Sequence, residues 1–312
     1  MRRRRPERPG QRGGFGRGGP PPLALIDRER AEELLAERAR LREARDFAGA
    51  DAIRDRLREG GWEVVDSREG SRLREVEPPP PPRALTMLTL VHGWPADAER
   101  WLDGVLAHTA AHDFEALLAD NSADPAVAAR LAARRGDRVR VLTLAPPEGW
   151  ADAANRALEA ATGETVVLFD PGVELHGDVA GPLLEALDRP GVVAAGAFGV
   201  RSEGRIGHFH ASEGPVVDAV EGYVLAFRRR PALDAGGFDR KFRFYRLADF
   251  ELCFKLRDRL RGDAVVVPGL PAERHEHRLW EALDEEERER RSRRNYYRLL
   301  DLWGKREDLI TR

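Results

Sequence analysis

The chain has 312 residues, of which 42% are hydrophobic and 34% are charged, and its formal net charge is −2. A chain of this length and composition can bury an ordinary core and can form one large domain with a smaller one. The nearly balanced charge excludes a strong overall basic field, and the single cysteine, Cys253, excludes an internal disulfide framework.

Residues 1–22 consist largely of Arg, Gly and Pro, so we expect a disordered tail. The segment from Gly14 to Gly19 matches the dinucleotide-binding pattern G-x-G-x-x-G, but no strand pattern precedes it and no helix pattern follows it. We interpret that match as chance. The tail could contact RNA weakly through charge and stacking, or serve only to solubilise the chain. No transmembrane segment or apolar signal core is expected, which favours a cytoplasmic protein, or one peripheral at the inner membrane face.

Residues 23–77 have the pattern of a small helical-hairpin domain. Apolar side chains recur at helical spacing from about Asp27 to Gly60, with a break at Asp46 to Gly49, and this predicts two antiparallel helices. A short strand from Trp62 to Asp66 and a turn follow. The region is similar to the small C-terminal domain of cysteinyl-tRNA synthetases, on the segments Ala44–Ala48, Ala50–Leu57 and Val65–Ser71. This resemblance implies contact with tRNA rather than aminoacylation, because the synthetase's catalytic motifs are missing from this chain.

Residues 78–84 include five consecutive prolines and predict a semi-rigid linker. A second domain follows, in which short apolar runs alternate with helical patterns. The strand-like runs are Met87–Val91, Ala116–Ala119, Val139–Leu144 and Thr165–Phe169, and the helical patterns span about 97–110, 124–134 and 150–161. Such alternation predicts right-handed crossovers and an α/β fold with a mostly parallel sheet and flanking helices.

Two aspartates follow apolar runs of this predicted sheet, Asp120 and Asp170. In open parallel sheets, ligands bind beyond the carboxyl ends of the strands. A carboxylate at that edge can accept hydrogen bonds from a base or ribose, or hold a hard cation against phosphate oxygens. Either aspartate alone could equally be a helix cap or an ordinary loop acid.

An ordered series of motifs around these acids resembles the family 2 glycosyltransferases of the GT-A fold. The matching segments are Asp120-Asn121-Ser122, Ala153–Ala157, Gly163-Glu164, Val217-Asp218 with Gly222, Gly236–Asp239 and Asp249–Cys253. The resemblance implies a GT-A (Rossmann-like) domain over 85–282. A C-terminal helix is expected over 283–312, and its apolar patch would pack on this domain or on a second subunit; a helix that lies on a membrane surface is the rival interpretation.

The resemblance also implies a reaction, in which a sugar moves from a nucleotide-sugar donor to a hydroxyl of a glycan or glycolipid, with inversion. Asp249 matches the general base, and Asp170 matches the first acid that orients Mg²⁺ or Mn²⁺ on the donor diphosphate. His277 or His275 would complete the metal or phosphate site. The implied substrate-binding residues are Asp120, Asn121, Asn155, Asp218, Gly222 and Glu251.

Two positions depart from the family's pattern. Gly172 stands where the metal motif has its second acid, and Ala248 precedes Asp249 where the family usually has glutamate. Glu174 could substitute in the metal shell. The departures leave a second hypothesis open, an RNA-associated binding protein whose glycosyltransferase domain is inactive. Arg228–Arg230 could bind a diphosphate or could simply form a solvated face. Trp150 or Tyr223 could stack on a sugar or base or could serve packing alone.

Overall fold

The computed structural model describes residues 26–67, 70–75, 80–144, 147–275 and 277–311. The chain divides into two compact units, with the boundary between Pro81 and Pro82. The predicted tail over 1–22 lies outside the described residues, and so do Pro78 and Pro79 of the predicted linker. The first strand of the second unit already begins at Arg83, within the segment predicted as linker.

The first unit is a pair of helices followed by a β-hairpin; the two helices and the first strand match the sequence pattern, whereas the second strand was not predicted. Its elements are α1 (Arg28–Glu43), α2 (Phe47–Glu59), β1 (Trp62–Ser67) and β2 (Gly70–Glu75). Asp27 and Asp46 cap the two helices, since their carboxylates accept hydrogen bonds from backbone N–H groups of the first turns. The small core contains Leu34, Leu57 and Trp62.

One buried arginine joins the helices of this unit to its hairpin. The Arg38 side chain is only 2% exposed, and its guanidinium donates to both carboxylate oxygens of Asp66, at 3.0 and 2.9 Å. Hydrogen bonds from Arg38 and Ser71 hold the pKa of Asp66 well below its ordinary value. A buried guanidinium needs such a partner, so this pair fixes the position of α1 on the hairpin.

The second unit is built around an eight-stranded sheet. Its elements are β3 (Arg83–Val91), α3 (Pro95–His108), β4 (Phe114–Asp120), α4 (Pro125–Ala132), β5 (Val139–Thr143), α5 (Trp150–Ala160), β6 (Gly163–Phe169), β7 (Val173–Leu175), α6 (Ala180–Asp188), β8 (Val192–Gly196), β9 (Gly199–Ser202), β10 (Phe209–Ser212), β11 (Val216–Val217), β12 (Ala219–Val220), β13 (Val224–Arg228), α7 (Arg229–Asp234), α8 (Ala248–Leu260), β14 (Asp263–Val266), β15 (Ala272–Arg274), α9 (Arg278–Glu281) and α10 (Glu285–Trp303). The four predicted strands and three predicted helices of its first half are confirmed.

The sheet is mostly parallel, with the order β11-β14-β8-β13-β6-β3-β4-β5. Strands β13 and β11 run antiparallel to their neighbours, whereas β3, β4, β5 and β6 run parallel to one another. The chain proceeds from β3 to β4 and β5 on one side, and then returns to place β6 on the other side. A crevice therefore opens between the carboxyl ends of β3 and β6, where parallel α/β sheets commonly bind ligands.

Two apolar layers cover the faces of this sheet. Because strand side chains alternate, Leu88 and Leu90 of β3 pack on the face that carries α5 and α8, whereas Met87 packs on the face that carries α3 and α6. Burial on both faces explains why these strands are continuous apolar runs rather than alternating ones.

The C-terminal helix α10 packs within the second unit, which is one of the arrangements expected from its apolar patch. It ends at Trp303, earlier than the predicted span of 283–312. Leu299 and Trp303 are buried against α8, and the buried Asn295 Nδ2 donates to the carbonyl oxygens of Phe244 and Arg246. α10 therefore supports the segment that leads into α8. Among the described residues, no helix combines the length and the apolar character that a bilayer crossing requires.

Candidate active site

The crevice between β3 and β6 continues into a cleft. Its walls come from the loops that follow these strands, the segment around Gly222, the start of α8 and the residues after β15. Elements from distant parts of the chain thus converge at the carboxyl edge of the sheet. Asp170, Gly222, Asp249 and His277 are the sequence-predicted site residues that line this cleft.

A two-stranded ribbon brings Asp170 and His277 together. Strand β15 pairs with β7 in antiparallel register, so the residues just before β7 lie beside those just after β15. His277 Nε2 lies 2.6 Å from Asp170 Oδ2, and the amide of Gly172 donates to Asp170 Oδ1 at 2.8 Å. Burial raises the pKa of Asp170, but the contact with His277 and the Gly172 N–H outweigh it, so the pKa lies below its ordinary value.

The ring of Tyr245 stacks on His277, with the ring centroids 3.9 Å apart. Burial raises the pKa of the Tyr245 hydroxyl to about 12, so the phenol stays neutral. The aromatic face therefore holds the imidazole against Asp170 without adding a charge.

Asp249 lies in the first turn of α8, where the helix dipole favours an acidic group. The Gly222 amide donates to Oδ2 at 2.6 Å, and the Phe250 amide donates to Oδ1 at 2.9 Å. Desolvation nevertheless raises the pKa of Asp249 to about 6, the Gly222 N–H opposes that rise, and the nearby Glu221 adds to it. Asp249 is thus a fixed carboxylate of raised basicity that faces the cleft.

Three arginines line the same cleft and were not singled out from the sequence. Arg274 Nη1 donates to Glu221 Oε2 at 3.0 Å and its guanidinium lies 4.7 Å above the Tyr223 ring. Arg246 lies 4.7 Å above the Trp280 ring, and Arg278 Nε donates to Asp97 Oδ2 at 3.0 Å. In a chain with 52 basic residues, no individual arginine stands out from composition. The three guanidinium groups therefore bring positive charge to the cleft, where two of them are paired with carboxylates that also line it.

His92 also lines the cleft and, like the three arginines, was not indicated by the sequence. Its Nδ1 lies 3.4 Å from Asn121 Nδ2, and its Nε2 is buried without a hydrogen-bond partner among the described residues. Burial lowers the pKa of His92 to about 4, although the charge of Asp170 opposes this shift, so the ring is neutral near pH 7. His92 follows β3 directly and therefore lies at the carboxyl edge of the sheet.

Asp120 and Asn121 are at the predicted strand end, but their side chains bond within neighbouring loops. Asp120 is 2% exposed, and its Oδ1 accepts hydrogen bonds from the amide and hydroxyl of Ser122. Asn121 exchanges two hydrogen bonds with the backbone of Glu148, at 2.8 and 2.9 Å. These contacts fix the loops behind His92.

Asn155 of α5 and Glu251 of α8 are both buried away from the cleft. Asn155 accepts from the Phe238 amide at 2.8 Å and donates to the Phe238 carbonyl at 2.9 Å. The neighbouring Gly237 has φ +64°, and a Cβ there would lie 2.3 Å from Asn155 Oδ1, which explains the glycine. Glu251 lies 3.0 Å from Lys255 Nζ. Both side chains therefore stabilise the fold around α8 and do not line the cleft.

Asp218 is also buried away from the cleft. It is 0% exposed, and its two carboxylate oxygens accept from the amides of Ser202 and Thr311, each at 2.6 Å. Arg257 lies beside it, with Nη1 3.8 Å from Oδ1. The structure thus places Asp218 in a polar cluster beneath α8 rather than against a ligand.

The remaining candidates divide between the cleft and other surfaces. Trp150 and Tyr223 line the cleft. Glu174 lies 2.9 Å from His275, next to the β7 and β15 ribbon. Arg228 and Arg229 donate to Thr165 and Gly163 at the start of β6, which is the opposite edge of the sheet from Asp170. Arg228 and Arg229 are therefore remote from the cleft.

No group of three His, Cys, Asp or Glu side chains in the described ranges is placed to hold a metal ion. Asp170 and His277 form a smaller donor set of one carboxylate and one imidazole, in contact at 2.6 Å. Mg²⁺ is commonly bound by one or two carboxylates with the other ligands from substrate phosphates and water, so this pair fits an ion that arrives with a diphosphate.

The first unit is similar to part of known synthetases. It is 48% identical over 52 residues to cysteine–tRNA ligase 1 of Burkholderia lata and 55% identical over 49 residues to cysteine–tRNA ligase of Cereibacter sphaeroides. These matches cover 17% and 16% of this chain, which spans 11% and 9% of the two ligases. The likeness confirms the resemblance predicted for this small region alone.

Solved glycosyltransferases are similar to the chain in structure. GalNAc-T7, solved with UDP, GalNAc and Mn²⁺, aligns with a TM-score of 0.57 and 15% identity over 96% of this chain and 62% of that one. The mannosyltransferase PcManGT of Pyrobaculum calidifontis, solved with GDP-Man and Mn²⁺, aligns with a TM-score of 0.48 and 18% identity over 77% of this chain and 66% of that one. At such identities a structural likeness concerns the fold.

The sequence profile described as Glycosyl transferase family 2 matches residues 96–254, which is just over half of the 312-residue chain. The matched range contains β6 and the cleft residues Asp170, Gly222 and Asp249, whereas β3 lies before it and His277 after it. The chain therefore belongs to glycosyl transferase family 2, and its second unit has a GT-A fold.

Proposed function

We propose that this chain is a glycosyltransferase that moves a sugar from a nucleotide-sugar donor to a hydroxyl of a glycan or glycolipid, with inversion, and that Asp249 is the general base. The observation that carries the proposal is the presence of Asp249 in one cleft with the Asp170 and His277 pair and three arginines. A base, an anion site and a carboxylate–imidazole pair are the groups that such a transfer needs.

Asp249 is suited to take a proton from the acceptor hydroxyl. Its two oxygens each accept one backbone N–H, which fixes the carboxylate plane and leaves further lone pairs for the acceptor. A pKa of about 6 keeps the group ionised near pH 7, while it binds a proton more strongly than an ordinary aspartate does. Positioned general bases of this kind typically contribute about 10²–10⁴ in rate.

The same cleft holds further groups that are suited to the donor's diphosphate. Asp170 and His277 would hold Mg²⁺ or Mn²⁺, which when bound neutralises the charge that develops on the leaving diphosphate. Arg246, Arg274 and Arg278 supply fixed positive charge in the same cleft. Gly172 replaces the second acid of the metal motif, so the motif has one carboxylate to bind the metal ion. The positive charge of the three arginines would replace the part of the diphosphate binding that a weakly held metal ion cannot supply.

A donor panel tests this proposal. UDP-, GDP- and dTDP-sugars are added with Mn²⁺ or Mg²⁺ to wild type, Asp170→Ala and Arg274→Met, and both thermal shift and nucleotide release are measured. We expect one donor to raise the melting temperature of the wild type and both variants to lose most of that shift. An exposed-arginine variant, Arg259→Met, is the matched control and should behave as the wild type. No stabilisation of the wild type by any donor would contradict the proposal.

The likeness of the first unit to cysteine–tRNA ligases favours a second, accessory function, which is contact with tRNA. Exposed arginines of α2, such as Arg54 and Arg58, would bind phosphates, so binding should weaken as salt rises. A gel shift of tRNA with the full chain tests this function, and the double variant Arg54→Glu, Arg58→Glu should abolish the shift. Equal shifts by both proteins would contradict it.

A further inference from the structure

Three contacts connect α8 to the segment from Asp218 to Gly222, and they occur at regular intervals. At the cleft, the Gly222 amide donates to Asp249 Oδ2 at 2.6 Å. One helical turn further, Cys253 Sγ lies 3.5 Å from the amide nitrogen of Val220. One more turn along α8, Arg257 Nη1 donates to the carbonyl oxygen of Asp218 at 3.0 Å. We call these three contacts the α8 ladder.

The spacing of the ladder follows from the geometry of its two sides. Four residues of an α-helix advance about 6 Å, and two residues of an extended strand advance about 6.6 Å. Positions 249, 253 and 257 of the helix therefore stay level with positions 222, 220 and 218 of the segment. Because the two sides match over the whole length, a shift of the helix along its axis would break all three contacts together.

The end of the ladder furthest from the cleft is the most firmly held. The Arg257 side chain is 7% exposed and that of Asp218 is 0% exposed. Arg257 Nη1 also donates to the Leu309 carbonyl at 2.7 Å, and the Thr311 amide donates to Asp218 Oδ1 at 2.6 Å. The residues after α10 thus close over this buried ion pair, in which Arg257 Nη1 and both Asp218 oxygens have hydrogen-bond partners and Arg257 Nε has none among the described residues.

We propose that Arg257 and Asp218 are positioning residues for the transfer reaction, which hold α8 in the register that places Asp249 at the acceptor hydroxyl. The inference rests on the proposed role of Asp249 as the base. Neither residue lines the cleft, so neither contacts substrate. Their effect passes along α8, whose axial position is set by the contacts of the ladder together with the core packing of Phe250 and Phe254.

A cycle of variants in the full chain tests the proposal. The proteins are wild type, Arg257→Met, Arg257→Lys, Asp249→Asn and the double variant Arg257→Met, Asp249→Asn, with Arg259→Met on the exposed face of α8 as the control. The assays are nucleoside diphosphate release from the UDP-, GDP- or dTDP-sugar that stabilises the wild type, and calorimetric affinity for the corresponding nucleoside diphosphate with Mn²⁺. Thermal melts of every variant test whether it is folded at the assay temperature.

We expect Arg257→Met to lower kcat by about 100-fold, as a misplaced catalytic group does, and to change nucleotide affinity less than twofold. Arg257→Lys should recover part of the rate, because the charge remains. In the Asp249→Asn background, Arg257→Met should have no further effect, since the group that it positions is already disabled. Equal losses in both backgrounds, or a parallel loss of nucleotide affinity, would overturn the inference and leave the proposed function intact. Unchanged turnover in Asp249→Asn alone would overturn both.

Discussion

The raised pKa of Asp249 makes a quantitative prediction about stability. In the folded protein the pKa of Asp249 rises from 3.8 to about 6, because desolvation penalises the charged form. The folded state therefore binds this proton more tightly than the unfolded chain does. The stability that the proton contributes is present below about pH 4, decreases as pH rises from 4 to 6, and is absent above pH 7. A shift of about 2 pKa units corresponds to about 3 kcal/mol.

The substitution Asp249→Asn removes this titration and leaves the shape of the side chain. We expect the difference in free energy of unfolding between variant and wild type to change by about 3 kcal/mol between pH 4 and pH 8, in favour of the variant at the higher pH. Urea unfolding followed by tryptophan fluorescence is suitable, since five of the six tryptophans lie in the second unit. The difference between two pH values cancels any constant cost of the amide. A difference that stays within about 0.5 kcal/mol across this range would refute the reasoning, and Asp301→Asn, at an exposed position, is the matched control.

Further predictions concern the groups around this carboxylate and the first unit. The methyl group that Gly222→Ala adds would lie 3.0 Å from the Cβ of Asp249, so we expect kcat to fall about tenfold or more. Gly136→Ala is the control and should leave kcat unchanged, because a Cβ at that position has no atom within 4 Å. Asn155→Leu leaves a buried N–H and a buried carbonyl without partners and should cost about 3 kcal/mol in urea unfolding. Asp66→Asn removes the negative charge that pairs with the buried Arg38, which should destabilise the first unit. Amide hydrogen exchange should therefore become faster in α1, with exchange in α8 unchanged.

The elements that define the sheet could be predicted because their signals are local. Continuous apolar runs indicate buried parallel strands, and Asp170 directly follows such a run, so its place at the carboxyl edge follows from topology. Asp249 was predicted from the family motif Asp249–Cys253, and the structure places it in the first turn of α8. The cleft that both residues line is known from the structure.

Other parts of the site depend on contacts between distant segments. The β7 and β15 ribbon consists of strands of three residues, too short to give a periodic signal, yet it brings His277 to Asp170. The cleft arginines Arg246, Arg274 and Arg278 could not be predicted, because arginine is frequent throughout the chain and no single one stands out. Asp218 and Asn155 match family motifs, but their partners are backbone groups far along the sequence, so their buried positions could not be inferred from the residues alone.

The most direct test of the account is single-turnover transfer by Asp249→Asn, compared with the wild type and Asp249→Glu, using the donor and metal that the panel identifies. The account predicts nucleotide affinity within about twofold of the wild type and a rate of sugar transfer lower by about 10²–10⁴ for Asp249→Asn, with partial recovery in Asp249→Glu. Transfer at the wild-type rate by Asp249→Asn would show that another group accepts the proton, and would contradict the central claim.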